Sequence, residues 1–370
     1  IIIFLTDNID KLPSECNNFI YLDKEKSKYI SNVNKDYIEM DFTPDYINYD
    51  FSDCILNLSN IDLDSFSNKY ILPKKYGFLE MYNSKDIQSL NINSIWNSNK
   101  IKDSLAVPIG IDENGEIIDL DLHENAHGPH GLVAGMTGSG KSELLITYIL
   151  SLAVNFSPLD VQFVLIDYKG GGLANTFYNS NIGMILPHVI GVITNIDNAF
   201  INRSLTSLNS EITRRQKLFA EISIKYNEGN LDIYKYKALS KIYNDIPPLS
   251  HLFIISDEFA ELKTKNPEFI DKLISIARIG RSLGIHLILA TQKPSGIVDS
   301  QIWSNSKFRI CLKVQDKNDS NEIINIPDAA YINEVGRFYL QVGYNELFLK
   351  GQSAYSGVEY TNDSDDATNE

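Results

Sequence analysis

The sequence predicts an α/β fold built on a mainly parallel sheet that helices cover on both faces. From about residue 130 onwards, short and continuously apolar segments alternate with helical segments, as in parallel strands buried on both faces. A glycine-rich loop also joins the first of these strands to the first helix, a place where such sheets bind ligands. The strands are expected at residues 132–134, 161–167, 189–194, 252–256, 287–290, 308–314 and 338–342.

Helices are predicted between several of these strands. They are expected at residues 141–155, at residues 197–225, where apolar residues recur at helical spacing, and from Pro267 to a stop at Gly284. Before these strands in the sequence, apolar segments at residues 106–110 and 117–120 flank a Glu-Asn-Gly sequence, which predicts a hairpin.

Four segments are predicted along the chain. Residues 1–70 are expected to form a small N-terminal α/β segment, residues 71–104 a connector, residues 105–357 the main domain and residues 358–370 an acidic flexible tail. Strands of the first segment are expected at residues 1–5, 19–22 and 54–58. The chain starts without Met, so we expect it to be part of a longer polypeptide whose membrane anchor lies elsewhere.

Composition argues against some classes of function. The 370 residues carry a formal net charge of −15, which gives no general attraction to nucleic acid or anionic lipid, although a ring could carry a local basic lining. No apolar run approaches the length of a membrane span. Cys16, Cys54 and Cys311 match no metal or redox spacing and are predicted to be reduced thiols.

The glycine-rich loop predicts a binding site for nucleotide phosphates. Its glycines allow backbone N–H groups to surround phosphate oxygens, and the helix that follows directs its positive end at the same phosphates. Lys141 is expected to reach the β- and γ-phosphates of ATP, and the Ser142 hydroxyl to bind Mg²⁺. The nucleotide-binding residues are expected to be Gly135, Met136, Thr137, Gly138, Ser139, Gly140, Lys141, Ser142 and Glu143.

Two acids follow the apolar strand at residues 252–256, at the edge of the sheet where ligands bind. Asp257 is expected to hold Mg²⁺ directly or through water, and Glu258 to polarise the water that attacks the γ-phosphate. Solvated acids at the end of a strand are common, but the phosphate loop in the same chain favours the catalytic interpretation.

Residues from other segments could complete this site. Thr291 or Gln292, at the end of the next strand, could bond the γ-phosphate or the attacking water, and Gln292 is preferred of the two because its longer amide can reach both. A simple strand-end turn without such a role stays an open alternative. Arg281 and Arg203 are candidates to act on a neighbouring subunit's nucleotide, ahead of Arg278. The alternative for each arginine is a surface ion pair.

Two further clusters of polar residues have a structural as well as a functional interpretation. Asp167 and Lys169 flank a run of glycines and could form the rim of the nucleotide pocket or only a flexible turn. His123, His127 and His130 precede the phosphate loop, but Pro129 prevents a helix that would align them on a metal, so a structural role is predicted.

Read in order, these motifs resemble FtsK/SpoIIIE-type ATPases of the RecA-like class, and most closely the EssC/EccC/YukB branch, the motor of type VII protein secretion. The similarity covers about residues 72–356 and extends well beyond the generic phosphate loop. It corresponds to the first ATPase domain of that branch with part of the domain before it. The motifs that carry it lie at residues 122–124, 127–135, 166–172, 193–195, 256–262, 278–286, 290–294 and 314–316.

The resemblance implies an ATP- and Mg²⁺-dependent ATPase in the cytoplasmic part of a membrane-anchored bacterial protein. Such proteins have adjacent ATPase domains, assemble as hexamers, work with other secretion-system membrane components and export small helical WXG-motif proteins. By motif, Lys141 and Ser142 hold nucleotide and Mg²⁺, while Asp257 and Glu258 serve hydrolysis. Arg281 is similar to the arginine finger of the DNA-translocating relatives and Arg203 to one proposed for the secretion branch.

Two other functions stay open from the sequence alone. One is a DNA translocase of the same fold, although the acidic chain is poorly suited to phosphate contacts. The other is an assembly module that nucleotide regulates with little turnover, although Lys141, Asp257 and Glu258 are all present.

Overall fold

Two compact units, residues 1–67 and residues 68–370, make up the chain in a computed structural model. The structure describes residues 18–21, 27–33, 36–43, 72–98, 101, 103–167, 172–179, 181, 183–194, 198–298, 300–344 and 346–358. Within the first unit, three antiparallel strands pair in chain order: β1 (Asn18–Tyr21), β2 (Ser27–Val33) and β3 (Asp36–Phe42). The predicted strand at residues 19–22 corresponds to β1, and those at residues 1–5 and 54–58 lie outside the described residues.

A ten-stranded sheet runs through the described part of the second unit. Its strands are β4 (Ala106–Asp112), β5 (Ile117–Asp121), β6 (Gly131–Ala134), β7 (Val161–Asp167), β10 (Val189–Thr194), β11 (His251–Asp257), β12 (Ile285–Thr291), β13 (Phe308–Cys311), β14 (Arg337–Val342) and β15 (Leu347–Ser353). A separate short pair is formed by β8 (Tyr178–Asn179) and β9 (Gly183–Met184). The order across the sheet is β10-β7-β11-β12-β6-β13-β14-β15-β4-β5.

The sheet is parallel from β10 to β13 and antiparallel from β13 to β5. Strands β11 and β12 lie inside the parallel part, and every one of their residues is buried. That burial explains why their sequences are continuously apolar rather than alternating. The mainly parallel α/β fold predicted from the sequence is confirmed.

Helices cover both faces of this sheet. They are α1 (Phe78–Met81), α2 (Ile92–Ser98), α3 (Lys141–Asn155), α4 (Leu173–Phe177), α5 (Asn198–Tyr226), α6 (Ile233–Ile242), α7 (Phe259–Lys265), α8 (Pro267–Gly280), α9 (Ser300–Asn305) and α10 (Lys317–Ile324), with a 3₁₀ turn at Asp328–Tyr331. Apolar residues of α5 to α10 pack in one core, and those of α3 and α4 pack in a second core with the β4–β5 hairpin. No helix in the described ranges has the length and apolar character of a membrane span.

Two sequence predictions differ from the structure in detail, and one strand of the sheet was not predicted. The strand expected at residues 308–314 ends at Cys311, after which Lys313 accepts a bond from the phosphate loop. Helix α8 was expected to run to Leu283 but ends at Gly280, and residues 281–284 form a turn in which Gly284 has a φ of +75°. The sequence prediction did not include β15, which pairs with both β14 and β4.

Buried histidines lie near the edge where the parallel strands begin. His251 Nδ1 and His286 Nε2 are 2.9 Å apart, and His130 Nδ1 accepts a bond from the Leu287 N–H at 3.0 Å. Burial lowers the pKa of His130 to about 4 and that of His286 to about 3, and it holds the pKa of His251 well below its ordinary value. These imidazoles are therefore neutral in the folded chain at neutral pH.

Acidification is predicted to destabilise this packing. Below pH 6.5 the unfolded chain protonates these histidines, whereas in the folded chain His130 stays neutral down to about pH 4 and His286 down to about pH 3, so their stabilising contribution is lost as pH falls. Between pH 6.5 and 5 the free energy of unfolding should fall by about 2 kcal/mol for each of His130 and His286. Urea unfolding at both pH values measures this change in unfolding free energy. The His286→Asn variant is expected to show a smaller pH dependence. An unfolding free energy that is equal at pH 6.5 and pH 5 would contradict this prediction.

Candidate active site

The phosphate loop connects β6 to α3 and is held from both neighbouring strands. The Gly135 N–H donates to the Thr291 carbonyl at 3.1 Å, and the Met136 N–H donates to the Lys313 carbonyl at 2.8 Å. Gly138 and Gly140 have φ angles of +80° and +94°, in the region where a side chain is disfavoured. The sequence therefore folds here into a turn that presents backbone N–H groups at the start of α3.

A segment far along the chain supports the loop from behind. The Gly336 N–H donates to the Ser139 carbonyl at 2.9 Å, and a Cβ on Gly140 would lie 2.8 Å from that same nitrogen. The Ser139 hydroxyl is buried and has no hydrogen-bond partner among the described residues. Such an unsatisfied hydroxyl inside the loop fits a site that accepts an oxygen-rich ligand. The sequence analysis missed Gly336, for which only the glycine itself was a signal.

Lys141 and Ser142 begin α3 and both contact Asp257 at the end of β11. Lys141 is 5% exposed and forms an ion pair with Asp257 Oδ1, while the Ser142 hydroxyl donates to Asp257 Oδ2 at 3.2 Å. A hydroxyl and a carboxylate on one side of a phosphate-binding turn are the oxygen ligands that Mg²⁺ prefers. The residues predicted to hold phosphate and metal therefore lie together, and their chemistry fits the Mg²⁺ ion.

Glu258 lies next to this group in a strained backbone conformation. Its φ and ψ are 64° and 55°, and it is the N-cap residue of α7. The residue is only 4% exposed. Its Oε1 accepts bonds from the Thr291 hydroxyl and the Gln292 N–H, both at 3.2 Å. Left-handed backbone at a glutamate is uncommon and clusters at functional sites.

Gln292 touches the phosphate loop as well as Glu258. Its side-chain Oε1 accepts a bond from the Thr137 hydroxyl at 2.9 Å, while its main chain binds Glu258. Strand β12 lies between β11 and β6, so the residue after its last position is placed between the acid pair and the loop. The structure thus brings Gln292 to the place that the sequence predicted for a sensor of phosphate.

The candidate arginines are distributed over both edges of the sheet. Arg281 follows α8 just before β12 begins, at the edge opposite the phosphate loop, and its Nε lies 3.3 Å from Glu124 Oε2. Arg203 is exposed in the second turn of α5, the helix that follows the carboxyl end of β10. Arg278 is exposed in the last turn of α8. Arg281 therefore cannot reach the nucleotide site of its own chain without crossing the sheet.

The remaining arginines of α5 have structural partners. Arg215 is 2% exposed and donates to Glu211 Oε1 at 2.8 Å and to the Leu283 carbonyl at 2.7 Å. Arg214 binds both oxygens of the same glutamate at 2.7 and 2.8 Å. The bond from Arg215 to Leu283 joins α5 to the turn that precedes β12, whereas the bonds to Glu211 lie within α5.

The structure locates Asp167 and the three histidines that precede the phosphate loop. Asp167 is buried at the end of β7 beside Asp257, and its Oδ2 accepts a bond from the Ala174 N–H at 3.1 Å. Lys169 lies outside the described residues. His123, His127 and His130 each use Nδ1 to accept a bond from a main-chain N–H. This geometry favours the structural role predicted for the histidines.

Comparison with known proteins identifies related chains. The sequence profile of the FtsK/SpoIIIE family matches residues 93–296, more than half of the chain. The type VII secretion system protein EssC of Staphylococcus aureus (strain NCTC 8325 / PS 47) is 48% identical over 98% of this chain and 24% of that protein. The ESX secretion system protein EccC of Geobacillus thermodenitrificans (strain NG80-2) is 52% identical over 81% of this chain and 20% of that protein.

Solved structures give the same relationship. The cytoplasmic domain of the Thermomonospora curvata type VII secretion ATPase EccC superposes with a TM-score of 0.66 at 32% identity, covering 76% of this chain and 32% of that one. The pCW3 conjugation coupling protein TcpA, solved with ATPγS, superposes with a TM-score of 0.54 at 22% identity, over 79% of this chain and 72% of that one. The latter likeness concerns the fold alone. The chain spans about a quarter of the length of the curated relatives.

The two left-handed glycines of the loop should tolerate alanine differently. Gly138→Ala meets no atom within 4 Å and should lower the unfolding free energy by about 1 kcal/mol through backbone strain alone. Gly140→Ala also presses its Cβ against the Gly336 nitrogen and should cost about 2 to 3 kcal/mol. Urea unfolding of both variants measures the difference. Equal losses would show that the approach of Gly336 to the loop does not constrain Gly140.

Proposed function

The chain belongs to the FtsK/SpoIIIE family of P-loop ATPases, and from that premise we propose that it is a Mg·ATP-hydrolysing motor domain of a type VII protein secretion system. The observation that carries the proposal is the convergence of Lys141, Ser142, Asp257, Glu258 and Gln292 at one edge of the sheet. The similarity to EssC over 98% of the chain supports the secretion assignment.

In the proposed reaction, ATP binds with its phosphates in the loop and Lys141 turns from Asp257 towards the β- and γ-phosphate oxygens. Asp257 and Ser142 would hold Mg²⁺ through their oxygens. When bound, the ion offsets the negative charge that the phosphate oxygens carry in the transition state. In these rearrangements Lys141 would exchange a carboxylate for phosphate oxygens and Asp257 an ammonium for a cation, so each group would keep a partner of opposite charge.

Glu258 and Gln292 are proposed to act on the attacking water. Glu258 accepts a proton from the water as the water oxygen approaches the γ-phosphorus in line with the leaving oxygen. Gln292, adjacent to both the loop and Glu258, can orient the same water or contact the γ-phosphate through its amide. Water attack breaks the bond between the γ-phosphorus and the bridging oxygen, releasing ADP and phosphate.

An arginine from a neighbouring copy completes the proposed site. Arg281 lies on the opposite edge of the sheet from its own loop, which favours action on the next subunit of a ring. Arg203 is the alternative, since its helix begins at the carboxyl edge of β10. In the full-length protein we propose a hexamer with adjacent ATPase domains, anchored by a membrane segment elsewhere in the polypeptide. The hexamer would export small helical WXG-motif proteins with other membrane components.

Removal of the proposed base should separate ATP binding from hydrolysis. Glu258→Gln is expected to lower kcat by about 10²- to 10³-fold, because the amide cannot accept the proton. Isothermal titration with Mg·ATPγS should show unchanged affinity for this variant, and strongly reduced affinity for Lys141→Ala. Both measurements use the full-length protein at concentrations that saturate assembly. A Glu258→Gln protein that turns over at the wild-type rate would exclude this chain as an active motor domain.

Mixing two inactive proteins should identify the arginine that acts in trans. Lys141→Ala and Arg281→Ala subunits are each expected to be inactive alone, with a loss for the arginine variant of about 10³-fold or more. At equal mixture, activity should return at roughly a quarter of the interfaces, where an intact loop meets an intact arginine. The same mixture with Arg203→Ala is the matched comparison. Recovery with Arg203→Ala and none with Arg281→Ala would assign the role to Arg203.

A further inference from the structure

Thr291 joins two parts of the candidate site that the sequence separates. It is the last residue of β12, is fully buried, and its hydroxyl lies 3.2 Å from Glu258 Oε1. Its main-chain carbonyl accepts the bond from Gly135 that anchors the start of the phosphate loop. One residue therefore contacts the proposed base with its side chain and the loop with its backbone.

The Thr291 hydroxyl is itself held in place. Its Oγ1 accepts a bond from the Lys293 N–H at 3.2 Å, so its own hydrogen is available for an acceptor. Two acceptors lie within reach, Glu258 Oε1 and the Lys293 carbonyl, both at 3.2 Å. The carboxylate is the stronger acceptor, because a hydrogen bond to a charged oxygen is worth more than one to a neutral carbonyl.

Glu258 needs such support because its backbone is strained. The left-handed conformation at φ 64° costs about 1 to 2 kcal/mol and persists only where surrounding contacts fix it. Two donors on one carboxylate oxygen, the Thr291 hydroxyl and the Gln292 N–H, define the direction of the carboxylate. Of these two, the hydroxyl can be removed by a side-chain substitution that leaves the backbone unchanged.

We propose that Thr291 is a positioning residue that orients the Glu258 carboxylate for proton abstraction. The proposal rests on the assignment of Glu258 as the base in the proposed function. Thr291 touches neither nucleotide nor water in this scheme and acts through Glu258 alone. Loss of its hydroxyl removes one of the donors that fix the carboxylate and widens its range of orientations. Turnover then falls while nucleotide binding, which depends on the loop and Lys141, is retained.

A hydroxyl deletion that keeps the branched shape tests this role. For Thr291→Val in the full-length assembled protein, kcat should fall by about 10- to 100-fold, since misplacement of a catalytic group by about 1 Å has that effect. The KM for Mg·ATP and the Kd for Mg·ATPγS should stay within about twofold of wild type. Thr291→Ser, which keeps the hydroxyl, should restore kcat to within about threefold of wild type.

Ser256→Ala is the matched control for a buried hydroxyl on the neighbouring strand. The Ser256 hydroxyl is buried and has no hydrogen-bond partner in the described part of the chain, so its loss should leave kcat unchanged. Thermal unfolding of each variant separates a general loss of stability from a specific loss of turnover. A Thr291→Val kcat within threefold of wild type would overturn the proposal, as would equal losses in Thr291→Val and Thr291→Ser.

A double-mutant cycle with Glu258→Gln makes the test independent of stability. If Thr291 acts through Glu258, Thr291→Val should lower the residual rate of Glu258→Gln by no more than about twofold, because the base is already lost. A full 10- to 100-fold further loss in that background would show that Thr291 acts elsewhere. If Glu258→Gln itself keeps the wild-type rate, the proposed function fails rather than the role of Thr291.

Discussion

The ion pair between Lys141 and Asp257 is the contact on which the arrangement of the site depends. Both groups are largely buried, and an ammonium or a carboxylate alone in such a place would be strongly destabilising. The pair holds the start of α3 against the end of β11, and the Ser142 hydroxyl adds a second bond to the same carboxylate. In the proposed reaction, phosphate oxygens would replace Asp257 as the partner of Lys141 and a cation would replace Lys141 as the partner of Asp257, so neither buried group would lose a partner of opposite charge.

The direction of the parallel strands separates the functions of the two edges of the sheet. At the edge where the strands end, Asp257, Glu258 and Gln292 lie beside the phosphate loop. At the edge where they begin, neutral buried histidines pack against each other, and the exposed Arg281 forms an ion pair with Glu124. This polarity supports the proposal that one edge hydrolyses nucleotide while the other supplies an arginine to a neighbouring copy.

The antiparallel half of the sheet also contributes to the phosphate loop. Strand β14 begins directly after Gly336, whose N–H binds the Ser139 carbonyl, and β15 then pairs β14 to β4. Dense packing in this half leaves little room, since a Cβ on Gly351 would lie 2.3 Å from Ile118 Cδ1. The hairpin before the loop and the last strands of the domain therefore support one nucleotide site from opposite ends of the sequence.

The sequence by itself determined the features that depend on neighbouring residues. Continuous apolar runs identified β11 and β12, the glycine spacing identified the loop, and the acids after β11 were placed because parallel strands end at one edge. Only the tertiary structure decided which distant residues meet. The bonds from Thr291 to Glu258 and from Gly336 to Ser139 depend on strand order and on positive φ angles, which no local pattern encodes. The burial of Arg215 was decided in the same way, because its partner carbonyl at Leu283 belongs to the turn between α8 and β12 and is reached only when α5 packs against that turn.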